Sequence, residues 1–257
     1  MLCFAMALKS ARVSKDWDMV CQLVDATLWS AYNQTDPDFR IIVVGHEPPK
    51  LARDYDERYQ FYGVDFDPPA EITTPLCMQD KWTKMLIALY HAGKLEPDHL
   101  MLMDADDLVS RRIVEFVHKE NHPNGWIITT SYDWPAGSKW MRKNPEFNCG
   151  TNAVLNANQV DFPQSTDPEE RNRCIALRAG HGTIAQVMQE RNTPLGVMPF
   201  CGAMYISDHG DNDSHFGGKK AIPRWYLSKT QWRRRIYRWS QQRPMTNAIR
   251  RDFSMMD

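Results

Sequence analysis

His99-Leu-Met-Leu-Met-Asp104-Ala-Asp106-Asp107-Leu-Val109 joins a run of apolar residues to a closely spaced group of carboxylates. The apolar run reads as a buried strand, and α/β folds collect ligands at the C-terminal ends of such strands. Neighbouring carboxylates raise one another's pKa, so an Asp-x-Asp stays ionised most readily beside a compensating positive charge. A hard divalent cation, Mn²⁺ or Mg²⁺, supplies that charge through oxygen ligands and keeps positions for substrate phosphates. Taken alone, the segment reads equally well as an acidic turn after a strand, because Asp is common in turns and at helix N-caps.

The flanking sequence alternates strand and helix patterns. Met1 to Leu8 is an apolar first strand, and Trp17, Val20, Cys21, Val24, Leu28 and Ala31 recur at helical spacing behind Asp16. Asp36-Pro37-Asp38 breaks that helix, Phe39 to Val44 forms a β-branched second strand, and Gly63 to Phe66 is a short third one before Pro68-Pro69. A second amphipathic helix spans Asp80 to Ala92 with Gly93 as its stop. After the Asp104 strand come a helix from Ser110 to Lys119 and strands at Gly125–Thr130 and Thr151–Leu155, the latter two separated by a polar, aromatic loop. Helical patterns at Pro168–Leu177 and Thr183–Glu190 and strands at Leu195–Met198 and Ala203–Ile206 complete this part. The order predicts an α/β layer fold around one mostly parallel sheet flanked by helices, with a Rossmann-like nucleotide-binding half.

Composition bounds the function classes. The 257 residues, 42% hydrophobic and 25% charged, suffice for one substantial core and exclude a disordered chain. Six cysteines, at 3, 21, 77, 149, 174 and 201, show no metal-ligand spacing and no disulfide framework, and a reducing cytoplasm is the simplest setting. The apolar opening lacks a charged leader and is too short to span a bilayer. The net charge of -1 conceals an asymmetry: eleven Lys and Arg and no acid lie between Lys219 and Arg251. Residues 1–218 are therefore expected to form one domain, and 219–257 a basic, aromatic C-terminal helical tail.

The ordered motifs resemble glycosyltransferases of the GT-A fold, family 2 in particular. Thr27-Leu-Trp-Ser30, Asn33-Gln34-Thr35 and the strand from Phe39 to Val44 are similar to the helix, Gln-Thr turn and second strand that open such enzymes. Asp104-Ala-Asp106 matches their metal-binding Asp-x-Asp, and His209-x-x-Asn212-x-Ser214 resembles an element near the end of their catalytic domain. The likeness covers about residues 2 to 216. It implies a nucleotide-diphosphate-sugar donor, a glycan or lipid-linked acceptor and inversion at the transferred sugar. It also implies a metal held by Asp104, Asp106 and His209, and nucleotide contacts from Leu8, His46, Glu47, Asp80, Lys84 and Asp104. The metal would stabilise the charge developing on the leaving diphosphate. Taken as residues, His209 reads equally as a loop histidine satisfied by its neighbours, and Lys84 as part of a solvated helix face.

Inverting members use a carboxylate base before a late helix, where this chain has Ala179-Gly180-His181-Gly182. His181 can take a proton at neutral pH, and it also suits a helix-capping turn. Asp133 and Asp161 are lesser candidates. Trp134, Trp140, Asn148, Gly150 and Thr151 fall where such enzymes build the sugar and acceptor pocket; Trp faces stack on sugars, and core packing explains a Trp equally well. In the tail, Trp232, Ile236 and Trp239 share one helical side among arginines, which suits docking on the domain or an anionic membrane surface and a peripheral position on its inner face. The acidic body argues against nucleic acid. Two other classes remain open: a haloacid-dehalogenase-like phosphatase using Asp104 and Asp106, whose motif ordinarily follows the first strand, and a non-catalytic nucleotide-sugar or glycan-binding protein.

Overall fold

The computed structural model describes residues 1–207 and 240–255, apart from the side chain of His181. Strands β1 (Leu2–Ala7), β2 (Phe39–Gly45), β3 (Tyr59–Gly63) and β4 (His99–Asp104) alternate with helices α1 (Trp17–Tyr32) and α2 (Thr74–Gly93). Then follow β5 (Asp107–Val109), α3 (Ile113–Glu120), β6 (Gly125–Ile127), β7 (Ser131–Pro135), β8 (Trp140–Asn144) and β9 (Ala153–Asn156). Helix α4 (Ile175–Glu190), β10 (Gly196–Val197), β11 (Ala203–Ser207), β12 (Gln242–Pro244) and helix α5 (Asn247–Asp252) end the described chain.

Seven strands form the central sheet in the order β10-β6-β9-β4-β1-β2-β3. Its pairs are parallel except where β9 runs antiparallel between β4 and β6, so the mostly parallel sheet is present as expected. Alternate residues of β1 supply opposite cores, as the two-residue period of a strand requires. Leu2, Phe4 and Met6 join Leu28, Phe39 and Ile113 on one face, while Cys3 and Ala5 join Ile42, Leu86 and Leu89 on the other. Strands buried on both sides carry no polar alternation, which explains the apolar runs at residues 2–7 of β1, 41–44 of β2 and 100–103 of β4.

Several expected elements shift. The third strand lies at Tyr59–Gly63, not Gly63–Phe66: Ile41 pairs with Tyr59, and Tyr59 and Phe61 sink onto the core holding Phe39. Helix α2 begins six residues ahead of Asp80, with Pro75 in its first turn, where a missing N–H is tolerated. Gly93 does end that helix, and a Cβ there would meet Phe162 at 3.0 Å, so close packing explains the glycine. Residues Pro168–Asn172 form a 3-10 turn rather than an α-helix, and α4 runs across a kink at Gly180, whose φ of 63° is open to glycine.

The aromatic loop expected between Thr130 and Thr151 instead contains β7 and β8. They belong to a second sheet ordered β12-β8-β7-β11-β5, whose core holds Leu108, Met141, Met204, Ile206 and Phe253. One face of β8 buries only Met141, and the charges of Arg142 and Lys143 mask the strand pattern. Of the segment 219–257 expected as a helical tail, residues 219–239 lie outside the described residues. Residues 242–244 add a strand to β8, Phe253 is buried, and Asp252 pairs with Arg112 at 2.7 Å and accepts from the Ser110 hydroxyl at 2.7 Å. Among the described residues no helix is long and apolar enough to cross a membrane.

Candidate active site

The parallel register brings Ala7 beside both Val44 and Asp104, so β1, β2 and β4 end at one edge of the sheet. A cavity of about 530 Å³ opens there, bordered by Leu8, Lys9, Asp80, Lys81, Asp104 and Asp106 and by Asn144 and residues 146–150. Asp104 Oδ1 accepts from the Lys81 ammonium at 2.5 Å and Oδ2 from the Gly150 N–H at 3.2 Å. A Cβ at Gly150 would stand 2.6 Å from Asp104 Cγ, so this approach of backbone to carboxylate requires glycine. Below them, Thr151 is fully buried; its hydroxyl accepts from the Asp104 N–H at 3.0 Å and donates to Asp107 Oδ2 at 2.6 Å. Thr151 therefore holds the acidic strand end from beneath and does not border the cavity, where the sequence reading places it.

Asp107 is wholly buried, and its Oδ1 has no hydrogen-bond partner among the described residues. Burial, then the charges of Asp106 and Asp104, push its carboxyl well above the usual carboxylate range. The Cys149 thiol donates to Asp107 Oδ2 at 3.0 Å, and burial beside these carboxylates raises its pKa far above that of an ordinary thiol. Ligand atoms of Asp104, Asp107 and Cys149 lie within 4.8 Å of one another, a grouping able to hold a metal ion. Cysteine spacing carried no signal for Cys149; its position two residues before Thr151 acquires meaning only once β9 packs against β4.

The expected nucleotide contacts divide. Leu8 borders the cavity with its side chain almost wholly buried. Lys84 is not on a solvated face: it is fully buried and donates to the Leu8 carbonyl at 2.9 Å and to Asp80 Oδ2 at 2.6 Å. Burial lowers its pKa while Asp80 opposes the shift, so Lys84 is a brace between α2 and the end of β1. Lys81, one turn earlier, is the lysine that reaches Asp104. His46 is packed edge-on against Phe66, 3.8 Å from Asp80, and burial followed by the Lys84 charge lowers its pKa. Glu47 accepts from the Ser10 hydroxyl and the Ala11 N–H, both at 3.1 Å, tying together the loops after β1 and β2. Neither His46 nor Glu47 borders the cavity.

Asn148 and Gly150 line the cavity, but Trp134 does not. Its ring packs against the second-sheet core and its indole N–H donates to the Ser138 carbonyl at 2.8 Å, so core packing accounts for it. Trp140 is largely exposed on β8. Asp133 lines the cavity, paired with Arg142 and bonded by Asn144 at 3.2 Å, and Glu146 and Tyr205 join it there; Asp161 lies elsewhere, paired with Arg191. His181 follows the Gly180 kink, and a Cβ on the next residue, Gly182, would lie 3.9 Å from the cavity residue Asn148. His209, Asn212 and Ser214 lie outside the described residues.

The Thr27-to-Thr35 segment acts from below. Ser30 accepts the Val109 N–H at 3.0 Å, while Gln34 donates to the Ser110 carbonyl at 3.1 Å and accepts from the Val114 N–H at 3.1 Å. Thr27 donates to the Ala105 carbonyl at 3.2 Å. The end of α1 thus fastens the backbone on either side of Asp106 and Asp107. Asp104 ends the fourth strand in chain order, against the first-strand position of a phosphatase motif.

No family model and no curated protein matches the chain. Among solved structures it is similar to S. aureus TarS, with TM-score 0.45 and 9% identity over 80% of this chain and 36% of that one. Against TarS residues 1–349 the TM-score is 0.44 with 9% identity, covering 80% of this chain and 60% of that one. A proposed nucleotide-diphospho-sugar transferase from Desulfovibrio desulfuricans G20 gives TM-score 0.37 and 10% identity over 91% and 94% of the two chains. The chain thus spans between about a third and three fifths of the TarS chains it matches. Likenesses of this depth carry no function, and the reading that follows rests on the residues around Asp104.

Proposed function

We propose that the chain is a metal-dependent GT-A-type glycosyltransferase that moves a sugar, with inversion, from a nucleotide-diphosphate donor to a glycan or lipid-linked acceptor. The observation that carries this reading is the cavity at the C-terminal ends of β1 and β4, where Asp104 and Asp106 border the same space as Lys9 and Lys81. A donor diphosphate is a polyanion, and such a mixed rim binds it only if extra positive charge is supplied. The crowded carboxylates, with Asp107 driven toward its neutral form, fit that supply by a hard divalent cation. Asp104 and Asp106 would hold Mn²⁺ or Mg²⁺, whose chemistry there is to neutralise the leaving diphosphate. Cys149, kept as a thiol, stays a hydrogen-bond donor to Asp107 and is the poorer partner for a hard ion.

In the transfer, the acceptor hydroxyl oxygen forms a bond to the anomeric carbon while that carbon's bond to the phosphate oxygen breaks. The nucleoside diphosphate leaves with the bond electrons, and the hydroxyl proton passes to a base. His181 is the proposed base, because the turn that carries it borders Asn148; Asn148 and Gly150 would position the donor sugar. His209 is a proposed further metal or diphosphate contact, and the basic segment 219–239 a proposed anchor to an anionic membrane surface.

The test is a panel of nucleotide-diphosphate sugars assayed with Mn²⁺ for donor hydrolysis and for transfer to glycan and lipid-linked acceptors. Asp106→Ala should abolish both with the fold intact, and unchanged Mn²⁺-dependent turnover would sink the metal assignment. His181→Ala should reduce kcat while leaving donor affinity in place; a rate within a few-fold of wild type removes His181 as base.

A further inference from the structure

His99, the first residue of β4, lies at the opposite edge of the sheet from Asp104, about 17 Å along the strand. It is 2% exposed, and neither ring nitrogen has a hydrogen-bond partner among the described residues. His118, from the last turn of α3, stands beside it with ring centroids 6.3 Å apart. Its Nδ1 lies 2.9 Å from Asp36 Oδ2, while its Nε2 is buried without a partner. Both rings border a polar cavity of about 580 Å³, together with Asp98, Asn121, Asn156 and Asn158.

Two features favour a cation in this space. The carboxylate on His118 Nδ1 keeps the ring proton there and leaves Nε2 as a lone-pair donor, the arrangement found behind metal-bound imidazoles. The cavity also lies at the C-terminal end of α3, which closes on Asn121 in the left-handed region and presents partial negative charge. With metal–nitrogen bonds near 2.0–2.1 Å and about 1.1 Å from nitrogen to ring centroid, two imidazoles on one ion have centroids up to about 6.4 Å apart. The observed 6.3 Å lies at the upper end of that span, so the rings close by about 1 Å to hold an ion at the tetrahedral angle.

We propose that this cavity is a second metal site, specific for a borderline transition-metal ion of the Zn²⁺ class, held by His99 and His118 and oriented through Asp36. Water entering the cavity completes the coordination. The two ends of β4 thus differ in metal chemistry: oxygen donors at Asp104 and Asp106 suit Mg²⁺ or Mn²⁺, while imidazoles suit Zn²⁺. The site is independent of the transferase reading, because the two cavities share no bordering residue.

Equilibrium dialysis of the chelator-stripped full chain against Zn²⁺, with Co²⁺ absorption to report nitrogen coordination, tests the assignment. Wild type should take up one tight equivalent. His118→Gln should lose it, Asp36→Asn should weaken it roughly ten- to a hundredfold, and Cys149→Ser, at the other end of the strand, should keep it. Circular dichroism of each variant confirms that the fold persists, and both substituted side chains are partly exposed, so neither substitution opens the core. Uptake unchanged in both His118→Gln and Asp36→Asn, loss of the equivalent in Cys149→Ser, or no tight Zn²⁺ in wild type would each overturn the proposal.

Discussion

Gly150→Ala tests the site with a single methyl group. The added Cβ would stand 2.6 Å from Asp104 Cγ, where carbon–carbon contacts settle near 3.5 Å, so carboxylate and loop must part by about 1 Å. That separation stretches the bond from the Gly150 N–H to Oδ2, now 3.2 Å, and swings Asp104 away from its place beside Asp106. Overpacking of this kind costs about 1–3 kcal/mol, equivalent for a chain of this size to a Tm lower by roughly 2–12 °C. Misplacing a reacting group by about 1 Å lowers turnover on the order of a hundredfold. Differential scanning calorimetry reads the first effect, and Mn²⁺-dependent donor hydrolysis together with Mn²⁺ affinity reads the second. Gly150→Ala with an unshifted Tm and wild-type Mn²⁺ affinity would refute the argument that glycine is needed for the approach to Asp104, whatever the donor proves to be.

Three further outcomes follow from the same contacts. Burial, aided by His118 and the N-terminal ammonium and opposed by Asp98, pushes His99 down to about 4 from an ordinary value of 6.5. The folded state therefore resists this proton: the stability is fully present above pH 6.5 and is lost as pH falls toward 4, about 3 kcal/mol in all. Urea titrations in chelator should show a steeper acid loss for wild type than for His99→Leu, and equal slopes would remove His99 as the cause. Lys84→Met strands Asp80 and the Leu8 carbonyl in the interior and should destabilise by about 3–5 kcal/mol in denaturant titration; a loss below 1 kcal/mol would mean that water reaches them. Lys81→Met frees Asp104 Oδ1 from its ammonium and should tighten Mn²⁺ binding by calorimetry while weakening donor affinity, and the reverse pattern would show that Lys81 is no competitor for the carboxylate.

The strand-and-helix order was legible because β1, β2 and β4 are buried on both faces and carry apolar runs of four or more residues, while α1 and α2 repeat at helical spacing. Boundaries were less so: Tyr59 and Phe61 read as ordinary aromatic residues until Ile41 pairs beside them. The second sheet was illegible because its inner face is assembled from separated segments. Met141, Met204 and Phe253 meet only after the chain returns from its far end. Among site residues, Lys84 and Trp134 carried plausible roles by residue type, and burial reassigned both, the lysine to a brace and the tryptophan to a core.

By itself, the sequence determined that an acidic pair ends a buried strand in an α/β chain. Strand period and burial on both faces are local properties, written into consecutive residues, and they predict that edge of the sheet as the place for ligands. Only the tertiary structure decided what surrounds the pair. Lys81, Gly150, Thr151 and Cys149 reach Asp104 and Asp107 through packing between elements distant in the chain. His99 and His118 meet at the other end for the same reason. Distances of a few ångströms between side chains depend on how helices and sheets dock, and no local pattern records that.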